Sequence, residues 1–158
     1  MRFHVGATRH TVRGRFDLER GAVRFDPDTG EVAGEVVVDA ASGDTGIDRR
    51  DRVMHTEILA SADHPHIVLR PLRLRNVRRE PDRLEATLEA ELVLRGEPHT
   101  LAFPVTGRRE DGRGVVEARF EVPYVDWGLP DPDRLLLRVD DVVHVEVRAE
   151  GALEPPGR

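Results

Sequence analysis

The run from Leu84 to Arg95 alternates apolar and polar side chains almost without interruption. Leu84, Ala86, Leu88, Ala90, Leu92 and Leu94 fall on one side; Glu85, Thr87, Glu89, Glu91 and Arg95 fall on the other, with Val93 the exception. Leu, Ala and Glu are good helix formers. A helix, however, would scatter these leucines around its circumference, whereas a repeat of two gives a strand with one dry and one wet face. The alternation decides for a strand. It recurs in Val12, Gly14, Phe16 and Leu18, in Val23 and Phe25, and in Val32, Gly34, Val36 and Val38. Later sets are Leu101, Phe103 and Val105; Val116, Ala118, Phe120 and Val122; Leu135, Leu137 and Val139; and Val143, Val145, Val147 and Ala149. Between Ile67 and Leu74 the phase slips: Ile67 and Leu69 are odd, Leu72 and Leu74 even. A bulge near Arg70-Pro71 absorbs such a slip, because proline has no N–H to give to the ladder.

Turn-forming clusters separate these runs: Glu19-Arg20-Gly21, Asp26 to Gly30, Glu80-Pro81-Asp82, Arg95 to Pro98, and Asp111-Gly112. Most connections are short enough for hairpins. About eight antiparallel strands so joined must close or expose their edges, which predicts an all-β, eight-stranded antiparallel up-and-down barrel. At 158 residues the chain makes one domain, expected over residues 1–151. The tail, residues 152–158, ends in Pro155-Pro156-Gly157-Arg158 and is expected to be disordered.

One segment breaks the alternation. From Asp39 to Pro65 a Ser-Gly-Asp-Thr-Gly turn leads into Asp48-Arg49-Arg50-Asp51 and a pattern suited to a helix. Asp48 is placed to accept backbone N–H groups at its start, and Asp51 suits the first turn. Val53, Met54 and Ile58 are expected to face inward, so that one short helical crossing near residues 48–60 closes one end of the barrel.

Composition excludes several classes. A net charge of -6 argues against a nucleic-acid partner, which requires basic surface. All the basic residues are Arg, and cysteine is absent, which removes disulfides and thiol chemistry. No apolar run approaches the roughly 20 residues of a transmembrane helix. As written, the chain is expected in the cytoplasm, or in the periplasm or outside the cell if a leader has been removed.

A barrel of about eight strands is just wide enough to be filled by side chains or to hold one small ligand. Gly14, Gly34, Ala86, Ala90 and Ala118 on the dry faces either leave such space or ease strand curvature. A ligand enclosed there would be lined by Val12, Phe16, Phe25, Val36, Val38, Ile67, Leu88, Ala90, Leu92, Phe103, Phe120 and Leu137. Tyr124 and Trp127, the only Tyr and Trp, suit a wet–dry boundary. His10, Arg50, Asp51 and His55 are the candidates for a mouth or head-group contact, with an ion pair plus capping as the structural alternative for Arg50-Asp51. Seven His raise a metal site, but His64 and His66 are split by Pro65 and no His-x-x-x-His helix pair exists, so no metal or other cofactor is expected. The acid pairs Asp131/Asp133 and Asp140/Asp141 sit in turns, where carboxylates cap backbone rather than catalyse.

Several of these stretches together resemble the YceI-like family of lipocalin-like proteins. The resemblance rests on His10-x-Val12-x-Gly14-x-Phe16, on Gly21, on "VDAASGDTG" followed by Arg50-Asp51 and Met54, and on "HPHIVLRP". It extends through "LVLRGEPHTLAFPV" and the ending "FEVPYVDWGLPDPDRLLLRVDDVVHVEV". His64 stands where the family usually has an aromatic, and Leu69 where it usually has Phe. The resemblance implies an extended lipocalin-like barrel that encloses a long amphiphile, a polyisoprenoid, isoprenoid quinone or fatty-acyl lipid, in a homodimer. Three readings remain open: a lipid-binding carrier or scavenger, a lipocalin-like enzyme acting on a bound apolar substrate, and a partner-binding barrel with a filled interior. The first, which is not an enzyme, is the expectation.

Overall fold

The computed structural model describes residues 2–7, 12–131 and 139–153. Nine strand segments form one antiparallel sheet: β1 (Arg2–Ala7), β2 (Val12–Arg15), β3 (Leu18–Phe25), β4 (Val32–Asp39), β5 (His66–Glu80), β6 (Arg83–Leu94), β7 (Glu97–Glu110), β8 (Arg113–Val122) and β9 (Val139–Ala152). Their order is β2-β1-β9-β8-β7-β6-β5-β4-β3. The two segments at the ends of that order are neighbours in sequence, separated only by Phe16 and Asp17. They are two halves of one bent strand. Counting them as one gives the eight strands of an up-and-down barrel, closed by β1 against β9.

β6 confirms that alternation outweighs helix propensity. It pairs with β7 without a break from Arg83↔Arg108 to Leu94↔Glu97. Ala86, Ala90, Leu92 and Leu94 are buried, while the outward Glu89 and Glu91 bond Arg75 and Arg70 of β5. The turns on either side of β7 are two-residue turns with positive φ at both positions, Arg95-Gly96 (51° and 77°) and Asp111-Gly112 (48° and 78°), the geometry that matches the twist of a hairpin.

β5 carries the expected bulge, one residue beyond Pro71: the register shifts between Pro71 and Arg73. Leu72 is the residue left over and is exposed, which corrects the expectation that it shares the dry face with buried Leu74. A second shift follows between Arg75 and Arg78, where Asn76 has φ 53°.

The crossing contains a 3-10 turn at Ala40–Ser42, the helix α1 (Asp48–Val53), and a wider π-type turn at Met54–Ile58. Asp48 does not cap α1; Ile47 holds the cap position and makes no side-chain cap bond. Met54, Ile58 and buried Leu59 pack on a core formed by Phe16, Val38, Ile67, Leu92, Leu94, Val122, Tyr124 and Leu129. A second core, around Leu74, Ala86, Ala90, Phe103, Val105 and Ala118, fills the waist of the barrel.

Burial departs from parity at one place on β8. Val116, expected on the dry face, is 46% exposed, whereas outward Val115 is 2% exposed. Val115 lies between Arg108 and Glu150 on the neighbouring strands. Those two belong to a surface network in which Arg108 bonds Glu110 and Glu117, and Arg148 bonds Glu110, Glu117 and Glu150. The aliphatic stems of such side chains cover an apolar neighbour while their charged ends stay wet.

Two expectations follow. Hydrogen bonds from Arg108, then Arg148, hold the Glu110 and Glu117 carboxyls below the ordinary glutamate value. A carboxylate depressed in the folded state stabilises the fold above its unfolded pKa, and that contribution is lost as pH falls through the folded one. Urea titrations across the acid range should therefore show a shallower acid-side loss of stability in Arg148→Gln than in the parent. Separately, Ala90 is 0% exposed, so Ala90→Phe should overpack the waist and lower the unfolding free energy by about 1–3 kcal/mol.

Candidate functional site

The residues that interrupt the alternation grip the bent strand. Arg15 and Asp44 exchange backbone N–H···O bonds in both directions at 3.0 Å. The Asp17 N–H donates to Ser42 Oγ (2.8 Å), which itself donates to the Asp39 carbonyl (2.6 Å). Thr45 donates from its N–H (2.9 Å) and its hydroxyl (2.6 Å) to Asp51 Oδ1. His55 Nε2 donates to the Gly43 carbonyl at 2.8 Å, which leaves Nδ1 buried without a partner. Gly43 is needed for closeness: a Cβ there would meet the Phe16 ring at 2.5 Å and the Met54 methyl at 2.7 Å. Asp51 and His55, candidates for a head-group contact, thus hold the crossing together. No side-chain ion pair or hydrogen bond joins Arg50 to a described residue, so the alternative of an Arg50–Asp51 pair is not formed.

Beyond this plug the interior changes character. At Arg2, its first described residue, β1 lies opposite Arg15 of β2 and Glu146 of β9. Among the described residues β9 continues to Ala152 paired with β8, and β3 runs to Phe25 paired with β4. β3 to β9 form a seven-stranded trough. Every residue of β3 is exposed. Val23 and Phe25 lie opposite Gly34 and Val32, on the inward face, yet are 45% and 52% exposed. Val116, between Gly107 and Ala149, faces the same space. A Cβ built on Gly107 or Gly151 would meet nothing within 4 Å, while Leu153 lies over Gly114.

The sequence candidates divide accordingly. Phe16, Val38, Ile67, Leu92 and Tyr124 are buried in the core on which the crossing packs, and Val12 is buried on β2. The Tyr124 hydroxyl donates to the Asp140 carbonyl at 3.0 Å. Ala90, Phe103, Leu88 and Phe120 pack at the waist, the last two half-buried, with the Phe103 and Phe120 rings stacked at 4.4 Å. Val36 is half-buried and inward, and Phe25 faces the trough. Trp127 stacks on His99 at 4.2 Å with the rings parallel, beside a hollow of about 280 Å³ also lined by His64, Arg95 and Glu97. His10 and Leu137 lie outside the described residues. Val23, Gly107, Val116, Gly151 and Leu153 were not singled out from the sequence. Their parity was readable for the valines.

A family model for the YceI-like domain matches residues 1–151. The chain belongs to the YceI-like family. None of the curated protein sequences compared with it gives a significant match. Among solved structures, it is similar to BcnA of Burkholderia cenocepacia, with a TM-score of 0.77 and 14% identity over 96% of this chain and 94% of that one. A YceI protein of Campylobacter jejuni gives 0.73 and 14% over 95% and 90%. A polyisoprenoid-binding domain from Saccharophagus degradans, implicated in plant cell wall breakdown, gives 0.71 and 18% over 93% and 89%. At these identities the likeness is one of fold, and it matches the extended lipocalin-like barrel read from the sequence.

The Thr45–Asp51 contact carries a direct expectation. Asp51→Ala removes an acceptor of two hydrogen bonds and should destabilise the protein by about 1–3 kcal/mol, read as a lower urea midpoint at unchanged m-value.

Proposed function

We propose that this YceI-like barrel binds a long apolar amphiphile, a polyisoprenoid or fatty-acyl chain, against the inward face of the trough formed by β3 to β9. One observation carries the reading: inward-facing Val23, Phe25 and Val116 are about half exposed while the outer wall carries the Arg–Glu pairs. Apolar surface turned inward and left uncovered is surface that a ligand stabilises by removing it from water. The polyisoprenoid-binding description of the Saccharophagus degradans domain supports the same class of ligand. Val23, Phe25, Gly107, Val116 and Leu153 offer no nucleophile and no titratable group, which favours carriage or storage over catalysis. The homodimer that the family resemblance implies is part of this proposal, and sedimentation at several concentrations tests it.

Gly107→Phe tests the reading. The ring enters open space on a strand position without positive φ, so folding should be unimpaired and the melting temperature equal to or above the parent's. Ligand uptake should be lost. Native mass spectrometry of protein incubated with a C55 polyprenol or oleate would show added mass on the parent and none on the variant. A bound ligand should also raise the parent's melting temperature with ligand concentration. Neither compound binding the parent, or both binding Gly107→Phe as well as the parent, would overturn the proposal.

A further inference from the structure

We propose that the amphiphile carries an anionic head, a carboxylate or a phosphate, and that Arg109 holds this head at the mouth of the trough; this rests on the binding reading above. The register places Arg109. β7 pairs with β8 without a break from Val105↔Ala118 through Gly107↔Val116 and Arg109↔Gly114 to Glu110↔Arg113. Val105 and Ala118 belong to the waist core, so alternation puts Gly107 and then Arg109 on the same inward face. The Arg109 N–H donates to the Asp82 carbonyl at 3.0 Å, which ties this end of β7 to the turn between β5 and β6.

Neighbouring arginines are already committed. Arg108, on the outer face, bonds Glu110 and Glu117, and Arg148 joins the same network. Arg79, the inward arginine of β5 opposite Leu84, is taken by Asp28. Among the described residues, none forms a side-chain ion pair or hydrogen bond with the Arg109 guanidinium, and the residue is exposed. A chain of net charge -6 repels an anion at long range. An unpaired guanidinium facing inward supplies the local attraction that a carboxylate or phosphate head needs. Its planar fork of donors matches either anion with two parallel hydrogen bonds.

The surroundings suit the junction of head and chain. A Cβ at Gly107 would meet nothing within 4 Å, and Val116 opposite it is 46% exposed. Leu153 lies over Gly114, the residue opposite Arg109. A head at Arg109 therefore sends its chain past Leu153, Gly107 and Val116 towards the stacked rings of Phe103 and Phe120. From Arg109 to Phe103 the strand spans roughly 20 Å at about 3.3 Å per residue, room for an extended acyl chain. A neutral alcohol gains none of the charge-assisted bonds, so it binds this mouth more weakly than the corresponding anion.

The test offers equal amounts of oleate and oleyl alcohol together, or of a C55 polyprenyl phosphate and its polyprenol. After gel filtration the retained lipid is extracted and quantified by mass spectrometry. The parent should retain the anion over the alcohol by about fivefold in at least one pair, the upper range for an exposed ion pair, and the pair that responds tells carboxylate from phosphate. Added salt should shrink this preference, because the site is open to solvent. Arg109→Gln should erase it and leave alcohol uptake at the parental level, while Arg109→Lys should keep part of it. Arg113→Gln, which changes an exposed arginine on the outer face of β8, should keep it in full. All three variants should melt with the parent, since each replaces an exposed side chain. Equal retention of anion and alcohol by the parent, or an undiminished preference in Arg109→Gln, would overturn the head-group assignment and leave the binding reading standing. Uptake of none of the four compounds by the parent would overturn the binding reading itself.

Discussion

The barrel depends on one two-way backbone contact, Arg15 with Asp44. The sheet closes only because a single strand leaves β1 at one edge and continues as β4's partner at the other, and the bend that permits this falls at Phe16-Asp17. A bend interrupts a ladder, and buried backbone groups left unpaired are costly. The crossing supplies the missing partners: Asp44 bonds Arg15, Ser42 takes the Asp17 N–H, and the Asp39 N–H reaches the Asp17 carbonyl. The charged interruption between Asp39 and Pro65 is therefore the connection that lets an open meander become a barrel.

Much of the fold was legible because burial on one face imposes a repeat of two. β6 and β7, and Ala118 to Val122 on β8, follow it residue by residue, and the bulge beside Pro71 announced itself as a slip in that repeat. The failures are also physical. Leu72 looked like a dry-face residue because the pattern shows that a bulge exists without showing which residue it ejects. Asp48 looked like a cap because capping propensity is local, whereas Asp51 is claimed by Thr45, six residues upstream. Val115 was invisible because its cover comes from Arg108 and Glu150 on two other strands.

The candidate site was legible in direction and not in depth. Phe25 and Val36 were read as inward-facing, and they are. Nothing in the alternation distinguishes an inward residue that meets a neighbour, such as Ala90, from one that meets water, such as Val116. That difference depends on what lies across the barrel, which the alternation along one strand does not carry.

The proposed ligand follows from which part of the interior is already packed. The crossing half is packed, with Met54, Ile58, Tyr124 and Leu129 closing it, and a ligand there would have to displace side chains already in contact. The trough needs no such displacement, since its glycines and half-exposed valines are uncovered. A compact solute would cover only part of this length and leave the remainder wet. An extended chain covers it progressively, each methylene leaving water for about 0.8 kcal/mol when fully buried. On the binding proposal, selection along the trough would be by length and apolarity, because Val23, Phe25, Gly107, Val116 and Leu153 offer no polar anchor.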